Sequence, residues 1–317
     1  MIEVPILEAQ HFGANMCIDD KNIGGEGYTI ISNADTGKIA VHIKSCQIKH
    51  ISKALDKLPA SALNKVETIT KDLAAVYDWV ARQYFFLATR VADKFHVLKL
   101  GFEALQAVRV RYRQSILKEE RMAKDARKKA KQIGSNKIGD QKQEGKKQED
   151  RKQGSRKPHD AHDIHSTPQF TNTLLANGES RKEILARSRG LLFKFPTQWT
   201  KRQETRAKIL FAEYPEIKQA YDLIVRFRNI YNLKDREEAT HALNTWKNDI
   251  SASELDELKN FASTVDTHQG EILSYFSHRK TNAYAESLNS HIQRFFIASF
   301  GIRNRDFFHF RIKNFFT

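Results

Sequence analysis

Cysteine is scarce in this chain. There are two, Cys17 and Cys46, both in strand-like contexts, with neither metal-ligand spacing nor the numbers for a disulfide framework. A thiolate zinc site and a stapled secreted fold are therefore not expected, and a reducing, cytoplasmic compartment is. Long apolar runs are missing as well. None approaches the ~18–20 residues that cross a bilayer, so no membrane partner is expected. The opening Met-Ile-Glu-Val-Pro has neither a basic nor an apolar leader region, so no secretory signal is expected. Acids are in short supply too, 38 against 53 Lys and Arg, which leaves a net charge of +15. That imbalance points to a polyanionic partner, nucleic acid above all. What is present is apolar residue enough for a core, 40% over 317 residues, and length enough for more than one structural unit.

Residues 15–44 read as β-structure. Ala14–Asp20 is a short apolar run ending in two acids. Gly27–Ser32 and Lys38–Ile43 are the next two strands, joined by a turn at Asn33-Ala-Asp-Thr-Gly37. Ile48–Leu58 has helical periodicity and Pro59 closes it. Val66–Asp72 is a strand that again ends in an acid, Ala75–Phe85 a short helix, and Leu87–Asp93 a fifth strand. The order β-β-β-α-β-α-β predicts a mixed sheet with flanking helices, an α/β fold.

From His96 a helical stripe runs through Leu98, Phe102, Leu105, Tyr112 and Ile116, and after Leu117 charge takes over. Residues 118–160 carry fifteen Lys and Arg against eight Asp and Glu, nearly half the chain's excess charge. Its first part extends the helix; the remainder, punctuated by Gly134, Gly139, Gly145, Gly154 and Pro158, reads as a mobile linker or a phosphate-binding arm. Residues 174–276 read as all-helical. Thr200-Lys-Arg-Gln203 fits a capping box, Pro215 opens a helix with Ile217, Tyr221, Ile224, Phe227 and Tyr231, and Ser253 is placed to cap another. The expected division is 1–117, first part of the sheet-bearing core; 118–170, basic and mobile; 171–265, an all-helical insertion; and 266–317, the rest of the core.

Three acids stand out. Asp19 follows the first strand and Asp72 the fourth. Glu286 lies in Lys280–Arg294, where a polar row of Asn282, Glu286, Asn289 and Gln293 runs beside an apolar row of Ala285, Leu288, Ile292 and Phe295. If the first and fourth strands lie side by side, their ends bring Asp19 and Asp72 together, and a returning helix adds Glu286. Three such carboxylates need cations, because like charges a few Å apart repel. Two Mg²⁺ or Mn²⁺ ions about 3.5–4 Å apart would satisfy them and clamp a phosphodiester. On spacing alone the same residues also fit strand-ending acids and a polar helix face without Lys.

Certain of these residues resemble a known family. Cys17-Ile-Asp-Asp20 with Gly27-Tyr28 and Asp35-Thr-Gly37 is similar to the opening of the DDE transposases of the ISL-three group of bacterial insertion sequences. Ile69-Thr-Lys-Asp72 with Tyr77 resembles the family's second-acid motif, and Val91-Ala-Asp-Lys-Phe-His-Val97 its Asp-x-Phe-His segment. Thr281-Asn-Ala-Tyr-Ala-Glu-Ser-Leu-Asn289, followed by Gly301-Ile-Arg-Asn304, is the most specific match.

The resemblance implies an RNase H-like core interrupted by an all-helical insertion, a catalytic and metal-holding triad of Asp19, Asp72 and Glu286, and two divalent ions. It leaves Asp20 as a rival to Asp19, and Asp93 as a rival to Asp72. It also implies metal-dependent DNA cleavage and strand transfer, with element ends and target DNA as partners and a homodimer when assembled on DNA. Family members usually open with a Cys-rich zinc-binding segment and a helix-turn-helix. Neither is seen here, so the expectation is that end recognition sits on a separate polypeptide or that this copy is truncated. A non-catalytic or domesticated DNA-binding relative, and an RNase H-fold nuclease without strand transfer, are the competing readings.

Overall fold

The computed structural model describes residues 5–144, 174–278, 283–298 and 305–316. They form two compact units: residues 1–105 with 220–317, and residues 106–219.

The first unit is built on a six-stranded mixed sheet: β1 (Ile6–Leu7), β2 (Asn15–Ile23), β3 (Glu26–Asn33), β4 (Ile39–Ile43), β5 (Thr68–Lys71) and β6 (Thr89–Ala92), in the order β1-β4-β3-β2-β5-β6. β2, β3 and β4 form an antiparallel meander, while β5 and β6 run parallel to β2. This is the RNase H-like arrangement expected from the sequence, with two additions. β1 extends the far edge against β4. A four-residue helix, α2 (Ala60–Leu63), follows α1 (Ile48–Leu55).

Alternation along the strands divides the core into two faces. Met16 and Ile18 of β2, Ile31 of β3 and Val41 of β4 pack under α1 and α3 (Ala75–Tyr84). Ile23, Tyr28, Ile30 and Ile39 point the other way. There they meet Leu288 and Ile292 of α11 (Ala283–Ala298) and Ile312 of α12 (Arg305–Phe316). Ile39 joins that second face because the pairing of β3 with β4 shifts between Ile31 and Ser32, and a one-residue slip sends a side chain to the opposite side.

The fifth strand is shorter than expected, and a 51-residue helix, α4 (Lys94–Glu144), starts directly beyond Asp93. Of the expected basic segment, 118–144 belongs to this helix and the remainder lies outside the described residues. After α5 (Arg181–Arg187) and α6 (Lys201–Glu213) come α7 (Pro215–Ile230), α8 (Arg236–Ser251), α9 (Asp256–Thr267) and α10 (Gln269–His278). The stripes read from the sequence are core: Ile224, Phe227, Tyr231, Leu243, Trp246, Leu258, Phe261 and Val265 are all buried. Ser253 does not cap α9; its hydroxyl donates to the Ile250 carbonyl at 2.7 Å and closes the turn after α8.

The second unit includes α5 and α6, each opened by a complete capping box, Ser180 with Glu183 and Thr200 with Gln203. Its internal anchor is Glu179, only 6% exposed, which accepts two hydrogen bonds from Arg206 at 2.6 and 3.0 Å. Arg187 adds a third at 3.1 Å. Those donors hold the Glu179 carboxyl at about 2.

Candidate active site

Strand register decides which acids meet. Ile18 of β2 pairs with Lys71 of β5, and Lys71 pairs with Ala92 of β6. The next residue on each chain is an aspartate, so Asp19, Asp72 and Asp93 stand at one level across three adjacent parallel strands. Asp19 was expected beyond the end of its strand, but it sits within β2, which continues to Ile23 against β3. The reason is the partner on each side. β3 keeps the chain extended through Ile23, whereas β5 ends at Lys71, opposite Ile18.

The four groups around this level have distinct environments. Asp19 is 6% exposed and accepts the Asp20 N–H at 2.8 Å. Burial pushes its carboxyl up to about 6, with the charges of Asp20 and Asp93 adding to the rise and His96 opposing it. Asp72 is half-buried and raised for the same first reason, burial, against the pull of the Ala74 N–H at 2.8 Å and of His96. Asp93 is fully buried. One of its oxygens accepts the Phe95 N–H at 3.2 Å and the other lies 2.6 Å from His96 Nδ1. That bond pushes the imidazole up to about 9 against the cost of burial, helped by the charges of Asp93, Asp19 and Asp72. His96 thus faces three acids and is tied to one of them.

The rivals differ in their surroundings. Asp20 is exposed and belongs to the other alternation of β2, whereas Asp19 shares the Cys17 and Ile23 side. Asp93 has both carboxylate oxygens engaged by its own loop and by His96, while Asp72 has one oxygen capped by Ala74. Glu286 falls in the first turn of α11, and its side chain lies outside the described residues, as do Asn282 and the side chain of Asn289. The helix itself packs on β2 through Leu288 and Ile292, on the face of Ile23. Cys17 is inert: burial pushes its thiol up to about 12.

The donor set suits a hard divalent cation. Asp19 and Asp72 stand at one level of adjacent strands, burial drives both toward protonation, and a bound cation would offset that cost. Among the described residues no three His, Cys, Asp or Glu side chains are grouped to hold an ion. Also among them, no helix is long and apolar enough to cross a membrane.

One cluster beside the acids was not anticipated. Lys71, immediately before Asp72, is completely buried and bonds Glu271 of α10 at 2.8 Å, with Asp78 of α3 at 3.3 Å. Lys71 ends Thr-Ile-Thr-Lys, a strand buried throughout. Its partner lies 200 residues away, beyond the reach of any spacing argument.

No curated protein and no solved structure matches the chain. A family model described as a transposase, that of the ISL-three DDE group, matches residues 16–312, from the start of β2 to the buried Ile312 of α12. With nearly its whole length matched and the sheet order to go with it, the chain belongs to the DDE transposase family of the ISL-three group.

Proposed function

We propose that this chain is the catalytic subunit of an insertion-sequence transposase, which cleaves DNA at element ends and joins the freed 3′-OH to target DNA. Asp19, Asp72 and Glu286 would hold two divalent ions, Mg²⁺ or Mn²⁺. When bound there, such ions supply the charge that neutralises the carboxylates and a scissile phosphate, and they lower the pKa of an attacking hydroxyl. The observation that carries the reading is the register of β2 with β5, which sets Asp19 and Asp72 side by side with both carboxyls raised by burial. Asp93 serves a different purpose: it orients His96, whose positive charge lies beside both acids and limits their repulsion. The basic stretch 118–160 adds phosphate contacts that favour DNA without reading its sequence.

The test is cleavage and strand transfer with labelled duplexes carrying the ends that flank the element, in Mg²⁺ or Mn²⁺, for wild type, Asp19→Asn, Asp72→Asn and Glu286→Gln. Loss of both steps in all three variants, with DNA binding kept, is expected. Cleavage without joining in the wild type would make the protein a nuclease, and no cleavage in any protein, with and without a candidate end-recognition polypeptide, would make it a DNA-binding relative.

A further inference from the structure

Burying a lysine between two carboxylates is a poor way to glue a helix to a sheet. Desolvation cancels much of the attraction, and an apolar pair of similar volume usually holds at least as firmly. What ion pairs provide instead is direction, since each bond fixes a distance and an angle. The Lys71 cluster is built that way. Its Nζ reaches Glu271 Oε2 at 2.8 Å and Asp78 Oδ1 at 3.3 Å, and the Lys71 side chain has no exposed surface. Glu271 also faces Arg90 of β6 at 3.3 Å and His268 at 3.4 Å. Asp78 is shared with Arg82 at 2.7 Å. The main chain of Lys71 takes part as well, its carbonyl accepting the Asp93 N–H at 2.7 Å.

The place of the cluster is what makes it more than a structural contact. Lys71 is the last residue of β5, and Asp72 follows it. Glu271 is on α10, which packs along β6 and ends at His278; α11 begins at Ala283 with Glu286 in its first turn. We propose that the buried Lys71–Glu271 pair positions the acid site, holding the strand end that carries Asp72 in place against α10. The inference rests on the reading of Asp72 and Glu286 as cation-holding acids. Lys71 and Glu271 are positioning residues: neither touches substrate.

The test is the double variant Lys71→Met/Glu271→Leu, in which Asp78 keeps Arg82 and Arg90 is half-exposed. Three quantities are measured: the melting temperature, Mn²⁺ affinity of the protein without DNA, and the cleavage rate. An undiminished melting temperature is expected, with Mn²⁺ affinity and cleavage each lowered about 10–100-fold, the usual cost of losing support behind metal-holding groups. Glu271→Asp is the second variant; it keeps the charge and shortens the reach by one methylene. It should lower Mn²⁺ affinity in the same direction, and it decides the matter if the double variant does not fold. Wild-type Mn²⁺ affinity in either folded variant overturns the inference and leaves the function standing. Wild-type Mn²⁺ affinity and cleavage in Asp72→Asn and Glu286→Gln would remove the underlying reading instead.

Discussion

His96→Gln offers a measurement in which the acid site reports on itself through pH. In the folded protein the imidazole is held at about 9, against its ordinary 6.5, first by the bond to Asp93 and then by the charges of Asp93, Asp19 and Asp72. A cation whose folded pKa is raised adds stability that is fully present below its unfolded pKa and lost as pH rises through its folded one. The window is therefore pH 6.5 to about 9. At ~1.4 kcal/mol per pH unit the gap sets a ceiling of ~3 kcal/mol. The ring is 31% exposed, and solvent screening reduces the expected contribution to ~1–2 kcal/mol. The assay is urea unfolding of wild type and His96→Gln with EDTA, at intervals from about pH 6 to about pH 10, compared as a difference so that other titrating groups cancel. Wild type should lead at the acid end and converge on the variant at the alkaline end. A difference constant to within ~0.5 kcal/mol across the range would mean the imidazole is not charged by its neighbours, and the account of the site would be wrong.

Other consequences follow from the same geometry. Asp19→Asn should melt higher than wild type in EDTA at neutral pH, because the raised Asp19 carboxyl carries an unfavourable charge there; the variant should also lose stabilisation by Mn²⁺, and a lower melting point in EDTA would refute the argument. Glu286→Gln is close to isosteric, so it should abolish cleavage while electrophoretic DNA binding stays within about twofold of wild type. Replacing the Lys and Arg of 118–160 by Gln should weaken binding equally for all duplex sequences and flatten the slope of log affinity against log salt. An unchanged slope would reduce that stretch to a connecting segment.

Much of the fold was legible because it is written in local patterns. The apolar run that opens β2, the turn at Asn33–Gly37 and the capping box at Thr200–Gln203 depend on residues a few positions apart, so composition and spacing specify them. The strand of Asp72 and the helix over 283–298 were readable for the same reason. Where β2 ends was not, because a strand stops where its partners stop, and the two partners of β2 stop at different residues. Nor were the surroundings of Asp72 and Asp93, which depend on loop contacts: His96 and the Phe95 N–H engage Asp93, and the Ala74 N–H engages one oxygen of Asp72. The burial of Lys71 against Glu271 is the extreme case. Each residue alone reads as an ordinary surface charge, and only the return of α10 to the edge of β6, 200 residues later, removes water from both and makes the pair.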